Sequence, residues 1–237
     1  MKVVTFVWKA KFGHFLRAEA NVNAITYPVP PRTAVLGLLG AIIGLEKDSI
    51  AHELADALVT VCGAPPKKFW HRVKLRKDPP TALPWIVKKG QKGSSVPEKA
   101  ALIRQEWLWR PEFRIHVALP EQPDWFSELL DRLQHRRWHY TPCMGLSELL
   151  AEVLFESCHI AEPLPSGKYS ISGLCPEKAV HLCVGKGIAV HLLRMPYSVT
   201  EDRVFEHRGY YIERQGLPIP VETGAACEVG DEVVILS

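Results

Sequence analysis

From Val3 to Trp8 the chain alternates, with Val4, Phe6 and Trp8 on one face and Val3, Thr5 and Val7 on the other. Both faces are β-branched or aromatic, which predicts a central strand. Tyr27-Pro28-Val29-Pro30-Pro31-Arg32-Thr33 must be extended, because each proline restricts the residue before it. Thr33 is placed to cap a helix predicted over 34–45. Gly37, Gly40 and Gly44 fall on one face of that helix, and each costs up to about 1 kcal/mol of helix propensity relative to alanine. The expected offset is close approach of another backbone, from the sheet or a ligand. The glycines lie inside the helix, so they do not read as a phosphate-cradling loop.

A second helix is predicted over 50–59. Phe113, Ile115, Val117 and Leu119 share one face of a half-buried strand, Leu108 to Leu119. Trp125, Leu129 and Leu133 mark a helix from Trp125 to Arg136. Leu146 to Phe155 is an apolar strand or short helix. Short β-rich runs follow at Val180–Val184, Ile188–Met195, Val204–Ile212 and Val233–Leu236. The order suggests an α+β chain with a split βαβ, ferredoxin-like core over 1–160 and a β-rich part over 161–237.

At 237 residues, 47% hydrophobic and 23% charged, the chain has the composition of a folded globular protein. Its longest apolar run, Thr33 to Leu45, is 13 residues, against the roughly 20 that cross a bilayer. The amino terminus has no signal-peptide pattern, so a soluble cytoplasmic protein is expected. The cysteines include no C-x-x-C pair and read as reduced thiols. Cys175, His181, Cys183 and His191 match no zinc spacing, so neither metal nor cofactor is expected.

Charge changes the picture. Between Lys67 and Lys99 ten basic residues face only Asp78 and Glu98, whereas the rest of the chain has 19 basic and 24 acidic residues. Trp70, Trp85, four prolines and the loop 89–95 lie in the same segment. This predicts a projecting basic hairpin or loop over 67–105, the footprint of a polyanion contact.

The chain carries no P-loop, dinucleotide fingerprint, G-x-S-x-G elbow or H-E-x-x-H. Candidate proton-transfer groups are His14, His71, His135 and His139, the last beside Tyr140, as a metal-independent ribonuclease would need. In a binder, Lys9, Lys11, Arg17, Arg32, Arg72, Lys74, Lys88, Lys89, Lys92 and Arg137 would meet phosphates. Phe12, Phe15, Trp70 and Trp138 would stack on unpaired bases, with Phe15 and Trp138 equally readable as core.

Two segments resemble a known family. Ile25-Thr26-Tyr27-Pro28-Val29-Pro30-Pro31-Arg32-Thr33-Ala34-Val35-Leu36-Gly37-Leu38-Leu39-Gly40-Ala41-Ile42-Ile43-Gly44, with Phe12-Gly13-His14-Phe15-Leu16-Arg17 before it, looks like the amino-terminal signature of CRISPR-associated protein family five. Tyr140-Thr141-Pro142-Cys143-Met144-Gly145-Leu146-Ser147-Glu148 is similar to its second motif, with Cys143 and Met144 departing from the usual aromatic residue and leucine. The resemblance implies an RNA-recognition-like (RAMP) ferredoxin fold with a basic β-hairpin thumb. It also implies a subunit of the antiviral type I complex Cascade, most like type I-B. Such a subunit caps the 5′ handle of the guide RNA, displaces a nucleotide with its thumb, and links the backbone subunits to the large subunit; target DNA is read by the guide. Phe12, Gly13, His14, His139 and Tyr140 join the expected RNA contacts through these motifs.

A type I-C branch cuts precursor RNA with a tyrosine, a lysine and a histidine. Here the tyrosine position falls near Ile43 and the Lys-His pair near Pro123-Asp124. The expectation is therefore a subunit without catalytic activity. The alternative is a metal-independent endoribonuclease that processes CRISPR precursor RNA.

Overall fold

The computed structural model describes residues 1–17, 19–20, 23–76, 100–120, 125–183, 185, 187–200 and 202–237. The chain runs through β1 (Lys2–Ala10), β2 (Phe12–Gly13), β3 (Asn23–Ala24), α1 (Arg32–Ile43), α2 (Ile50–Glu53), β4 (Leu58–Cys62), β5 (Lys68–Arg76) and β6 (Ala100–Trp109). It continues with β7 (Glu112–Ala118), α3 (Trp125–His135), β8 (Ala151–Ile160), β9 (Glu162–Pro163), β10 (Gly167–Ile171), β11 (Cys175–Pro176) and β12 (His181–Leu182). The last strands are β13 (Val190–Val199), β14 (Phe205–Glu213), β15 (Ile219–Thr223), β16 (Cys227–Val229) and β17 (Glu232–Val234).

The main sheet has the order β4-β7-β1-β8, every neighbour antiparallel. β1 is hydrogen-bonded on both sides, as its two apolar faces require. One face of the sheet (Phe6, Trp8, Val61, Phe113, Ile115 and Val153 among others) is sealed by Leu39 and Ile42 of α1 and Leu129 and Leu133 of α3. Each such side chain contributes about 1.5–3 kcal/mol when fully buried. Met195, Tyr210 and Ile212 of β13 and β14 belong to the same core. On the opposite face Val3, Cys62 and Ala118 pack against Cys227, Val229 and Val234. Ile171, Cys175, Ile219 and Val221 close a third cluster in the carboxy-terminal strands. Among the described residues no helix is long and apolar enough to cross a membrane.

Several local expectations fail for identifiable reasons. Thr33 does not cap α1: the helix starts at Arg32 after an extended Pro31, whose carbonyl accepts the Ala34 and Val35 N–H groups, and no side chain caps it. Among the described residues, the nearest atoms to the glycine face are side chains rather than a second backbone. Gly44 is the left-handed carboxy-terminal cap (φ 86°), a Cβ on Gly40 would meet only the Ile50 side chain at 2.7 Å, and nothing lies within 4 Å of a Cβ on Gly37. The helix expected over 50–59 stops after one turn, because Val59 and Val61 pair with Val117 and Ile115 in the sheet. The single strand expected over 108–119 breaks where Arg110 turns left-handed (φ 47°) before Pro111, separating β6 from β7.

The basic segment contributes the β5–β6 ribbon, paired antiparallel from Lys68↔Leu108 to Arg76↔Ala100. Lys88, Lys89, Lys92 and Trp85 lie outside the described residues.

Candidate nucleic-acid interface

Alternation along β5 puts Lys68, Trp70, Arg72 and Lys74 on one face, and the register sets Arg104 opposite Arg72. Trp70 is 47% exposed, with the Arg104 guanidinium 5.3 Å from its ring centre. Arg72 and Lys74 are exposed, and Lys68 is held by Glu106 at 3.1 Å. The other face roots the ribbon: Phe12 of β2 packs among Phe69, Trp107 and Trp109, and His71 stacks on Trp107 at 4.3 Å. An exposed indole flanked by guanidinium and ammonium groups stacks unpaired bases while the cations meet phosphates. At the ribbon's root a cleft of about 750 Å³ is lined by Lys9, Lys11, Trp109 and Arg110, with Glu112 and Glu152. Lys9 is paired with Glu152 at 3.4 Å, and Lys11 lies 5.5 Å from the Phe12 ring centre.

The two motif segments, far apart in sequence, meet. His14 donates its backbone N–H to the Met144 carbonyl at 3.0 Å. A Cβ on Gly145 (φ 92°) would lie 1.8 Å from the His14 carbonyl oxygen, and one on Gly13 would lie 2.6 Å from Met144. Only glycine fits either position, so Gly13 serves packing rather than exposing backbone to a ligand. His14 is 2% exposed and its Nδ1 is 2.7 Å from the Glu106 carbonyl. A carbonyl only accepts, so Nδ1 carries the proton and Nε2 is a lone-pair acceptor. Burial pushes the His14 pKa down and so favours the neutral ring, partly opposed by that hydrogen bond. Phe15 is core, edge-on to Trp8, and Trp138 packs half-buried against the same core. Arg17 lies over Tyr27 at 5.4 Å and pairs with Glu19.

Arg32 corrects an expectation. It is 7% exposed, donates to Ala55 O (2.7 Å), Ala57 O (2.6 Å) and Tyr197 O (3.1 Å), and stacks on Tyr197. Its charge is consumed inside the fold and cannot meet phosphate.

The carboxy-terminal end of α1 collects a second group. The His139 and Tyr140 N–H groups cap the carbonyls of Ile42 and Ala41, and Arg132 also reaches Ile42 O. The His139 and Tyr140 rings meet edge to face at 4.6 Å and both residues are exposed. Arg137 is exposed and ion-paired with Asp131, whose carboxylate also lies 3.0 Å from Nδ1 of exposed His135. A tyrosine and a histidine thus stand beside Ile43, though neither is near it in sequence; Pro123-Asp124 lies outside the described residues.

Among the described residues, Cys62, His116 and Glu232 gather their ligand atoms within 4.8 Å. His116 is tied to Thr5 Oγ1 (2.9 Å) and Glu232 (3.1 Å), and Arg114 holds the other Glu232 oxygen at 3.2 Å. These bonds, chiefly the one to His116, hold the Glu232 carboxyl below its usual range, while burial pushes the Cys62 thiol up. Arg114 supplies the cation that a metal would, so the group reads as an ion-paired stitch between the sheet and β17.

Residues 4–187 match the family model described as CRISPR-associated protein (Cas_Cas5). The chain belongs to the Cas5 family. A relative from Thermus thermophilus, named CRISPR pre-crRNA endoribonuclease Cas5d, is 30% identical over 148 residues, covering 61% of this chain and 60% of that relative. Two solved structures share the Cas5 chain's fold. One is titled CRISPR RNA-guided surveillance complex (TM-score 0.54, 15% identity, covering 90% of this chain and 91% of that one). The other is a CRISPR protein from Archaeoglobus fulgidus (TM-score 0.54, 18% identity, covering 99% and 98%). The Thermus relative is named as an enzyme. That overturns the expectation of a subunit without catalytic activity, which rested on Ile43 and Pro123-Asp124 at the aligned positions and took no account of residues that the fold brings to the same place. Arg104 lay inside the expected 67–105 hairpin but past its dense Lys67–Lys99 run and was not named, and Trp109 and Arg110 lay in a run read only as strand.

Proposed function

We propose that this Cas5 chain is an RNA-binding subunit of a CRISPR RNA-guided surveillance complex, and that it cuts CRISPR precursor RNA and keeps the repeat-derived 5′ handle. The observation that carries the reading is the ribbon face of Trp70, Arg72, Lys74 and Arg104. We read residues 1–160 as the ferredoxin-like RAMP domain, since β8-β1-β7-β4 with two helices on one face has that arrangement. The ribbon is its thumb, within 67–105, and 161–237 is the β-rich part. Backbone subunits and the large subunit are the protein partners, and target DNA is met through the guide.

For the cut, a ribose 2′-hydroxyl loses its proton to a general base and attacks the adjacent phosphorus. The P–O5′ bond breaks, and the leaving 5′ oxygen takes a proton, giving a 2′,3′-cyclic phosphate and a 5′-hydroxyl. No metal is required. His139 and Tyr140 are the exposed proton-transfer pair, and Arg137 lies three residues away in sequence.

The test is labelled repeat RNA in EDTA, with retention and cutting scored on one gel. Retention with cutting that falls at least about 100-fold in His139→Ala is expected. Retention without cutting by the unmutated chain overturns the cleavage reading. No retention overturns both.

A further inference from the structure

A third feature is neither ribbon nor α1 shelf. His14, Tyr27, Thr33, Leu146, Pro196 and Phe205 are among the residues around a mainly apolar cleft of about 410 Å³, a volume in the range of small-ligand sites. At its wall the tautomer set by the Glu106 carbonyl leaves His14 Nε2 as a lone-pair acceptor. Tyr27, 2% exposed, borders the same cleft, and its hydroxyl also has none. Thr33 and Ala34 on the rim belong to the first turn of α1, which has no side-chain cap. The Ala34 N–H is taken by the Pro31 carbonyl, so the Thr33 N–H and the helix dipole are what favour an anion there.

We propose that this cleft receives one unpaired nucleotide of the bound RNA, its base against the apolar walls with an N–H donated to His14 Nε2, and its phosphate at the first turn of α1. This rests on the RNA-binding reading above. An apolar lining suits a base and excludes bare phosphate from the interior. A lone acceptor on a rigid wall selects a base edge that presents a donor. The ribbon then supplies salt-dependent grip, and the cleft supplies the one base-specific contact.

The experiment is an abasic scan of the repeat RNA, each position replaced in turn, with dissociation constants measured for the unmutated chain, His14→Phe and Leu146→Trp, which enlarges a side chain on the cleft lining and keeps the His14 imidazole. One position should lose about 10-fold or more in affinity when abasic. That penalty should vanish in Leu146→Trp and shrink in His14→Phe. Near-equal penalties at all positions, or one that persists in both variants, overturn the cleft while leaving RNA binding in place. Loss of cutting by His14→Phe with an unchanged scan also overturns it and makes His14 a proton-transfer group instead. Failure of the unmutated chain to bind any RNA defeats the underlying reading. Leu146→Trp decides the matter if His14→Phe does not fold.

Discussion

Arg32 and the ribbon cations look alike in the sequence, each a basic residue among prolines or aromatics, and the fold uses them in opposite ways. Arg32 turns inward to three carbonyls and a tyrosine ring, so its hydrogen bonds are made once, on folding. Arg72, Lys74 and Arg104 stand exposed on paired β5 and β6. The imidazoles differ too: His14 is buried, whereas His71 is half-buried and stacks on Trp107 along the ribbon. On the proposed reading, buried polar groups set stability and the exposed cations set affinity.

The largest effect that could break this comparison is Arg32→Met. It leaves the Ala55, Ala57 and Tyr197 carbonyls without their donor, and the expected loss is about 3 kcal/mol, at roughly 1 kcal/mol for each of the three acceptors. For a chain of this size that lowers the melting temperature by roughly 6–12 °C. RNA affinity per folded molecule, and its salt dependence, should not change. A flatter salt slope with normal stability would return Arg32 to the phosphate-binding set.

The converse change is Arg72→Ala, Lys74→Ala and Arg104→Ala together. Stability should move by less than about 1 kcal/mol, as for surface substitutions. The slope of log affinity against log salt should fall by about 2, at roughly 0.7 per single-strand phosphate contact. An unchanged slope removes the ribbon from the interface.

What the sequence made legible follows the same division. β1 and α3 could be read because long periodic runs fix a strand or helix before tertiary contacts matter. β4 could not, since Val59 and Val61 are too few to show a period and declare themselves strand only against Val117 and Ile115. The basic ribbon was legible because charge density survives without coordinates. The fate of Arg32 was not, because its acceptors lie 23, 25 and 165 residues away. The shelf of His139 and Tyr140 beside Ile43 was hidden for the same reason, and an alignment in one dimension had to miss it.

Acid tests the buried imidazole. His14 has its folded pKa lowered by burial, so on acidification the unfolded chain binds the proton first. Stability is therefore full above the ordinary histidine value of about 6.5 and declines as pH falls below it. Glu232, held down chiefly by His116, adds a loss that begins only below the ordinary glutamate value of about 4.3. Urea unfolding from pH 8 to 4 should show the first decline in the unmutated chain and lose it in His14→Phe. A decline that survives in His14→Phe would assign it to another group.

The smallest expected effect concerns the end of α1 that the glycines occupy. Gly37 is in the helix interior with open space where a Cβ would stand, so Gly37→Ala should stabilise the isolated chain by about 0.5–1 kcal/mol. Gly40→Ala should do less well, because Ile50 must move aside. If Gly37→Ala stabilises the chain as expected yet weakens its assembly with the other subunits, a partner's backbone approaches that face, and the missing close approach lies between chains rather than within this one. If stability and assembly are both unharmed, the glycine at 37 carries no packing role, and α1 joins Arg32 as a part of the signature whose appearance in sequence is not its use in the fold.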